Sequence, residues 1–269
     1  PGQTANAPIG GKRTRFQPAG RNFNQFSHWV SAKAEEMGID AAKQVLFDET
    51  RDNFKAFLDA RPDDQPFCYW WGPTNTHRTW ERGSGKTLWD IEPDDLMGRM
   101  PSFLPDVHDV REDAADYLGE CLAVDVGLGI LLEELEAIGE LDNTLFVVSG
   151  DHGIPGMPRA KCNLYDIGCE VALAVRWPGY IAPGRVVDDF VNLMDLAPTF
   201  CEAGGLAPAS TMTAKSLMPV LRSAESGQID PERDHVVTGR ERHVHIAREG
   251  FLPYPQRSIR TKDFIYIVN

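Results

Sequence analysis

The chain has 269 residues, 42% hydrophobic and 25% charged, a globular composition long enough for one large domain or one domain with a small companion. A net charge of −13 and an isoelectric point near 5.0 disfavour nucleic-acid binding, which asks for a basic face. No apolar run of membrane-spanning length occurs, no CxxC pair marks a structural zinc site, and five scattered cysteines leave the redox compartment open.

In chain order, residues 1–26 read as Gly/Pro-rich loop, and the opening PGQTANAPIGGKRTRF lacks the apolar centre of a signal peptide. HWVSAKAEEMGI (28–39) and LFDETRDNFKAFLDA (46–60) carry helical spacing, with Leu46, Phe47, Phe54 and Leu58 able to share a face. FCYWWG (67–72) predicts a buried strand, and residues 78–109 read as loop. A long helix is expected over 112–139, where Leu118, Cys121, Leu122, Leu128, Leu131, Leu132, Leu135 and Ile138 recur at three- and four-residue steps and Gly139 stands as a C-terminal cap. NTLFVVSG (143–150) and VALAVRWPG (171–179) predict strands without polar alternation, covered on both faces. A helix ending at Gly204–Gly205, a strand at HVVTG (235–239) and two strands joined around Thr261–Asp263 complete the order. Helices alternating with apolar strands predict a layered α/β fold.

LFVVSGDHGIPG (145–156) sets an aspartate beside a histidine where a strand ends. Ligands of open α/β sheets gather outside the carboxyl ends of the strands. Gly150 and Gly153 allow the bend that turns both side chains to one point, and a carboxylate oxygen and an imidazole nitrogen are competent ligands for a divalent cation. Asp-His-Gly alone reads first as an ordinary strand-end turn, because a three-residue motif is weak.

The context decides between them. After GDHG come KCNLYDIG and then CEVALAVRWPG; the helix before it, NLMDLAPTFCEAGG and FCYWWGPTNTHRTW follow the same order. In these motifs the chain resembles the sulfatase family of the alkaline-phosphatase-like superfamily, from about residue 50 onward. SFLPD (102–106), GIP (153–155) followed by NLY, and PQRSIRTKDFIYIVN look most like the sulfamidase (heparan N-sulfatase) branch and its bacterial relatives.

The resemblance implies an alkaline-phosphatase-like sheet with helices on both faces, incomplete here. Residues 1–255 would be the C-terminal part of the catalytic domain, and 256–269 the beginning of a small antiparallel subdomain. It makes Asp151 and His152 ligands of Ca2+, with Mg2+ or Mn2+ as alternatives because imidazole is a softer donor. Lys161 would contact the sulfate, and His77 the sulfate or the leaving atom as a proton donor. Read as ordinary residues, Lys161 is a solvated loop lysine, His77 a loop histidine and His152 a non-ligand. TGRERHVHIAREG (238–250) gathers Arg240, Arg242, His243 and His245; Arg242, His243 and His245 suit anionic sugar groups, and salt bridging with nearby acids is the equal alternative.

The family's formylglycine nucleophile arises from Cys or Ser in a Cys/Ser-x-Pro/Ala-x-Arg motif, and none of Cys68, Cys121, Cys162, Cys169 and Cys201 stands in one. The Asp-Asp pair after the first strand and the Gly-Lys-x-His element have no match either. The expectation is an internal fragment of a sulfatase, inactive alone, from an exported (periplasmic or extracellular) protein acting on a sulfated carbohydrate or other organic sulfate. A phosphate or phosphonate hydrolase of the same superfamily and a non-catalytic sugar-binding pseudo-enzyme are the alternatives.

Overall fold

In the computed structural model, residues 22–62, 65–242 and 248–269 are described. They fall into two compact units that divide between Leu141 and Asp142.

The first unit is helical. After a 3-10 turn at Phe23–Gln25, α1 (Phe26–Met37) and α2 (Ile39–Asp59) meet at Gly38, whose φ of 85° only glycine adopts freely. Phe23, Phe26, Val30, Ala42, Leu46 and Phe47 interlock with Leu88, Ala123 and Ile130 as one apolar cluster. Phe23 meets Phe26 edge-on at 5.5 Å, and Phe26 stacks on Trp89 at 5.9 Å.

Two sequence expectations fail in this unit. Phe67–Gly72 forms no strand: Trp70 is 74% exposed, and Tyr69 turns its ring to Phe54 and Phe57 at 4.7 and 4.9 Å. Aromatic packing against α2 takes the place of a ladder. Residues 78–109 are not all loop, since they hold α3 (Ser84–Trp89) and a 3-10 turn at Pro93–Leu96. The short α3 is fixed from outside by Asp116, which accepts from the amides of Gly83 and Gly85 at 2.9 and 2.7 Å.

The long helix α4 runs from His108 to Ala137, and Gly139 follows with φ 72° as its expected terminator. Its leucine pattern misleads about packing. Leu131 and Leu135 are buried, yet Leu118, Leu122 and Ile138 are exposed. The buried face includes four small residues, Ala115, Gly119, Ala123 and Gly127. A Cβ at Gly119 would meet Trp89 Cδ1 at 2.7 Å, and one at Gly127 would meet the Trp71 ring. The missing side chains let two indoles lie against the helix.

The second unit begins with β1 (Phe146–Ser149), which pairs antiparallel with β2 (Leu173–Arg176), Phe146 opposite Arg176. Full burial of these strands does not hold: Phe146, Val147 and Val148 are half-buried and Ser149 is exposed. Between the strands lies a loop with the single-turn α5 (Asp166–Cys169). Next come α6 (Leu196–Ala203) and α7 (Met218–Arg222). The Asn192 side chain caps the turn before α6 in a reciprocal box with Asp195. Asp195 is buried and pairs with buried Arg233 at 2.7 Å.

A three-stranded antiparallel sheet ends the chain: β3 (His235–Arg240), β4 (Gln256–Thr261) and β5 (Ile265–Val268), in that order. The strands β3 and β4 are neighbours in one sheet although residues 241–255 separate them in sequence. Among the described residues no helix is long and apolar enough to cross a membrane.

Candidate active-site loop

The segment after β1 doubles back on itself. The Gly150 amide extends the ladder to Ala172 O at 3.1 Å, and the Gly153 amide donates to Gly168 O at 3.0 Å. A Cβ on Gly153 would strike the Ile167 carbonyl, and one on Gly168 would strike Asn163 O. These two glycines are therefore where the loop crosses itself, and no other residue type fits there.

This fold holds Asp151 and His152 as a pair. Asp151 is exposed and His152 half-buried, with His152 Nε2 3.3 Å from Asp151 Oδ2. The other ring nitrogen, Nδ1, lies 2.9 Å from Gly153 O. A carbonyl only accepts, so Nδ1 carries the proton of that bond and Nε2 is the nitrogen that faces the carboxylate. Two electron-rich atoms at this distance need a proton or a cation between them. The pair fits two positions in the shell of one divalent cation, while Ca2+ asks for six to eight oxygen ligands. Among the described residues no group of three or more His, Cys, Asp or Glu stands ready to hold a metal.

Lys161 joins the same loop. Its amide donates to Ile154 O at 3.2 Å, which ties the stretch after Asp151–His152 to the stretch before α5. Arg159 (φ 62°) and Cys162 (φ 72°) are left-handed on either side of Ala160–Lys161, so the chain turns sharply twice. Ala160 is buried and Lys161 half-buried. Its ammonium has no ion-pair partner among the described residues. Asp151, His152 and Lys161 thus lie in the one loop between β1 and α5, with Asp151 and His152 in contact and Lys161 tied to it through its backbone amide.

His77 belongs to the first unit. It is exposed, with Nδ1 2.6 Å from Arg78 O. The turn that carries it is anchored two residues earlier by buried Asn75, whose Nδ2 donates to both the backbone oxygen and Oε2 of Glu120, each at 2.8 Å. Glu120 also accepts from the Ser27 amide at 3.2 Å, and burial pushes its carboxyl up from the usual range against these donors. Beyond His77, Arg78 forks onto Asp113 and lies over the Trp80 ring at 4.3 Å.

Of the basic patch, Arg242 is exposed; His243 and His245 lie outside the described residues. Arg240 does not join the solvent-facing patch. Its Nη1 donates to the carbonyl of Cys162, next to Lys161. Sequence reasoning missed this tie and a second one, in which Arg260 forks onto Asp166 with Nε–Oδ1 2.9 Å and Nη2–Oδ2 3.3 Å. Asp166 is the acid of the Leu-Tyr-Asp-x-Gly run, so an acid inside a motif was the one available signal.

The family resemblance of the sequence motifs agrees with what the chain is similar to. A family model described as Sulfatase matches residues 8–206. The human N-sulphoglucosamine sulphohydrolase is 28% identical over 188 residues, 66% of this chain and 35% of that protein. An ulvan-active sulfatase of Formosa agariphila is 36% identical over 129 residues, 48% of this chain and 24% of that protein. The chain therefore spans about a quarter to a third of these relatives. A solved structure in complex with its substrate D-glucosamine-2-N,6-O-disulfate superposes with a TM-score of 0.61 at 23% identity, over 82% of this chain and 60% of that one. The fold is the alkaline-phosphatase-like fold of these enzymes with a small antiparallel sheet at its C-terminal end, and the chain belongs to the sulfatase family.

Proposed function

We propose that the whole protein hydrolyses sulfate esters or sulfamates of a sulfated carbohydrate, with a sulfated glucosamine as the first substrate to try. The observation that supports this reading is the single loop that carries the Asp151–His152 pair and Lys161, whose ammonium has no ion-pair partner among the described residues. Two of the three similar proteins above are named for a sulfated glucosamine or hold one. Export to the periplasm or the cell exterior belongs to the same reading.

In this reading Asp151 and His152 hold a divalent cation, Ca2+ first and Mg2+ or Mn2+ next. The bound cation would offset charge on the sulfuryl oxygens, and a formylglycine hydrate would supply the nucleophile. Lys161 places a point charge against the same oxygens, where charge grows in the transition state. His77 donates a proton to the departing oxygen or nitrogen. Arg242, His243 and His245 meet the anionic groups of the sugar.

The test is turnover of D-glucosamine-2-N,6-O-disulfate by the whole protein, read as free sulfate, beside an aryl phosphonate monoester. Sulfate release is expected, with Lys161→Ala lowering kcat/KM about 100-fold, the scale for one charge-stabilising donor. Cleavage of the phosphonate alone would move the protein to the phosphonate hydrolases. Sugar binding without turnover of either compound would make it a binding protein.

A further inference from the structure

The terminal sheet has two unlike faces. Along β3 exposure alternates, so Val236, Thr238 and Arg240 share the half-buried face. The register sets Arg260 beside Val236, Ser258 beside Thr238 and Gln256 beside Arg240. This inner face is therefore largely polar, and its groups point at the Lys161 loop. Arg240 donates to Cys162 O, and Arg260 forks onto Asp166 at the first residue of α5. Between them the Cys169 thiol lies 4.0 Å from Thr238 Oγ1, which is 2.6 Å from Ser258 Oγ. The outer face instead exposes Val237, Ile259, Tyr266 and Val268.

These ties fall where the loop most needs them. Cys162 holds a left-handed φ of 72° without being glycine, and its carbonyl is the one that Arg240 takes. The α5 turn is four residues long and has no side-chain cap, so its own hydrogen bonds hold it weakly. The Arg260 fork fixes its first residue.

We propose that Arg240 and Arg260 are positioning residues that lock the Lys161 loop in its anion-receiving shape, which makes the terminal sheet part of the sulfate-binding apparatus. The proposal rests on the sulfatase reading of Lys161. A guanidinium is needed at 260 because lysine has no planar fork to match both oxygens of Asp166.

The experiment pairs hydrogen exchange of the full chain over residues 160–170 with titration of D-glucosamine-2-N,6-O-disulfate. Arg260→Ala is expected to speed exchange in this segment at least about tenfold and to weaken binding by a similar factor. Arg240→Ala should do the same to a smaller extent, and Arg260→Lys should fall between wild type and Arg260→Ala. The reciprocal swap Asp166→Arg with Arg260→Asp should recover part of both losses. Arg257→Ala, on the outer face of the same strand, should change neither. Wild-type exchange and affinity in Arg260→Ala would overturn the proposal, and so would a swap no better than the single variants. If wild type binds no sulfated sugar, the sulfatase reading fails, and the exchange rates still decide whether the two arginines hold the loop.

Discussion

Up to Leu141 the chain buries Phe23, Phe26, Val30, Leu46 and Phe47 in a single cluster between helices, whereas from Asp142 onward the buried apolar side chains among the described residues are few: Ala160, Leu164, Trp177, Pro198, Leu217, Met218 and Val220. The second unit relies on directional bonds. Asp195 gathers Arg233, the Lys215 amide and the Asn192 amide, and Asp189 accepts from the amides of Ile229 and Asp230 at 2.7 and 2.6 Å. Apolar burial is non-directional and tolerates small shifts, while a buried polar network loses much when one partner goes. The residues assigned to sulfate and metal lie, apart from His77, in the unit built the second way.

The contrast can be broken from either side. Phe26→Ala should cost the first unit about 3–5 kcal/mol in urea unfolding, because a fully buried ring in contact with three other aromatics leaves a cavity. Arg233→Ala should cost the second unit about 3 kcal/mol, since it leaves the buried Asp195 carboxylate without its cation. Replacing both partners, Arg233→Met with Asp195→Leu, should recover part of that loss. If Arg233→Ala proves harmless, the second unit is not held by this network.

A smaller effect sharpens the comparison, because the first unit also carries a charge cluster. Arg111 bonds Asp94 at 2.8 Å and Asp106 at 2.7 Å. The Arg111 guanidinium, with help from His108, holds the Asp94 carboxyl below its usual range; the Gly98 amide, then Arg111, does so for Asp106. Acids depressed in the folded state contribute stability fully above the unfolded pKa, about 3.9, and lose it as pH falls through the lower folded values. Thermal melts should therefore drop below pH about 4, and Arg111→Met should flatten that slope while lowering the neutral-pH melting temperature slightly. An unchanged slope would mean that these contacts do not persist in solution.

Much of the fold was legible because it repeats. Helices α1, α2 and α4 announced themselves by spacing, and β1 and β2 by apolar runs closed with Gly or Pro. The FCYWWG run looked equally strand-like, and only the packing of Tyr69 on α2 decided otherwise. The buried face of α4 was misread because leucines mark hydrophobicity, while contact there depends on where side chains are absent. At the site, motif order singled out Asp151, His152 and Lys161, which the structure places in one loop. Arg260 was not, since its partner Asp166 lies 94 residues away and an ion pair leaves no periodic trace.

The central claim is that the Asp151–Lys161 loop handles the sulfate group. Calorimetric titration of the chain with D-glucosamine-2-N,6-O-disulfate, wild type against Lys161→Ala, tests it most directly. Loss of a charged hydrogen bond is worth about 1.5–3 kcal/mol, so the account predicts affinity at least about tenfold weaker in Lys161→Ala. Equal affinity in the two proteins would contradict it.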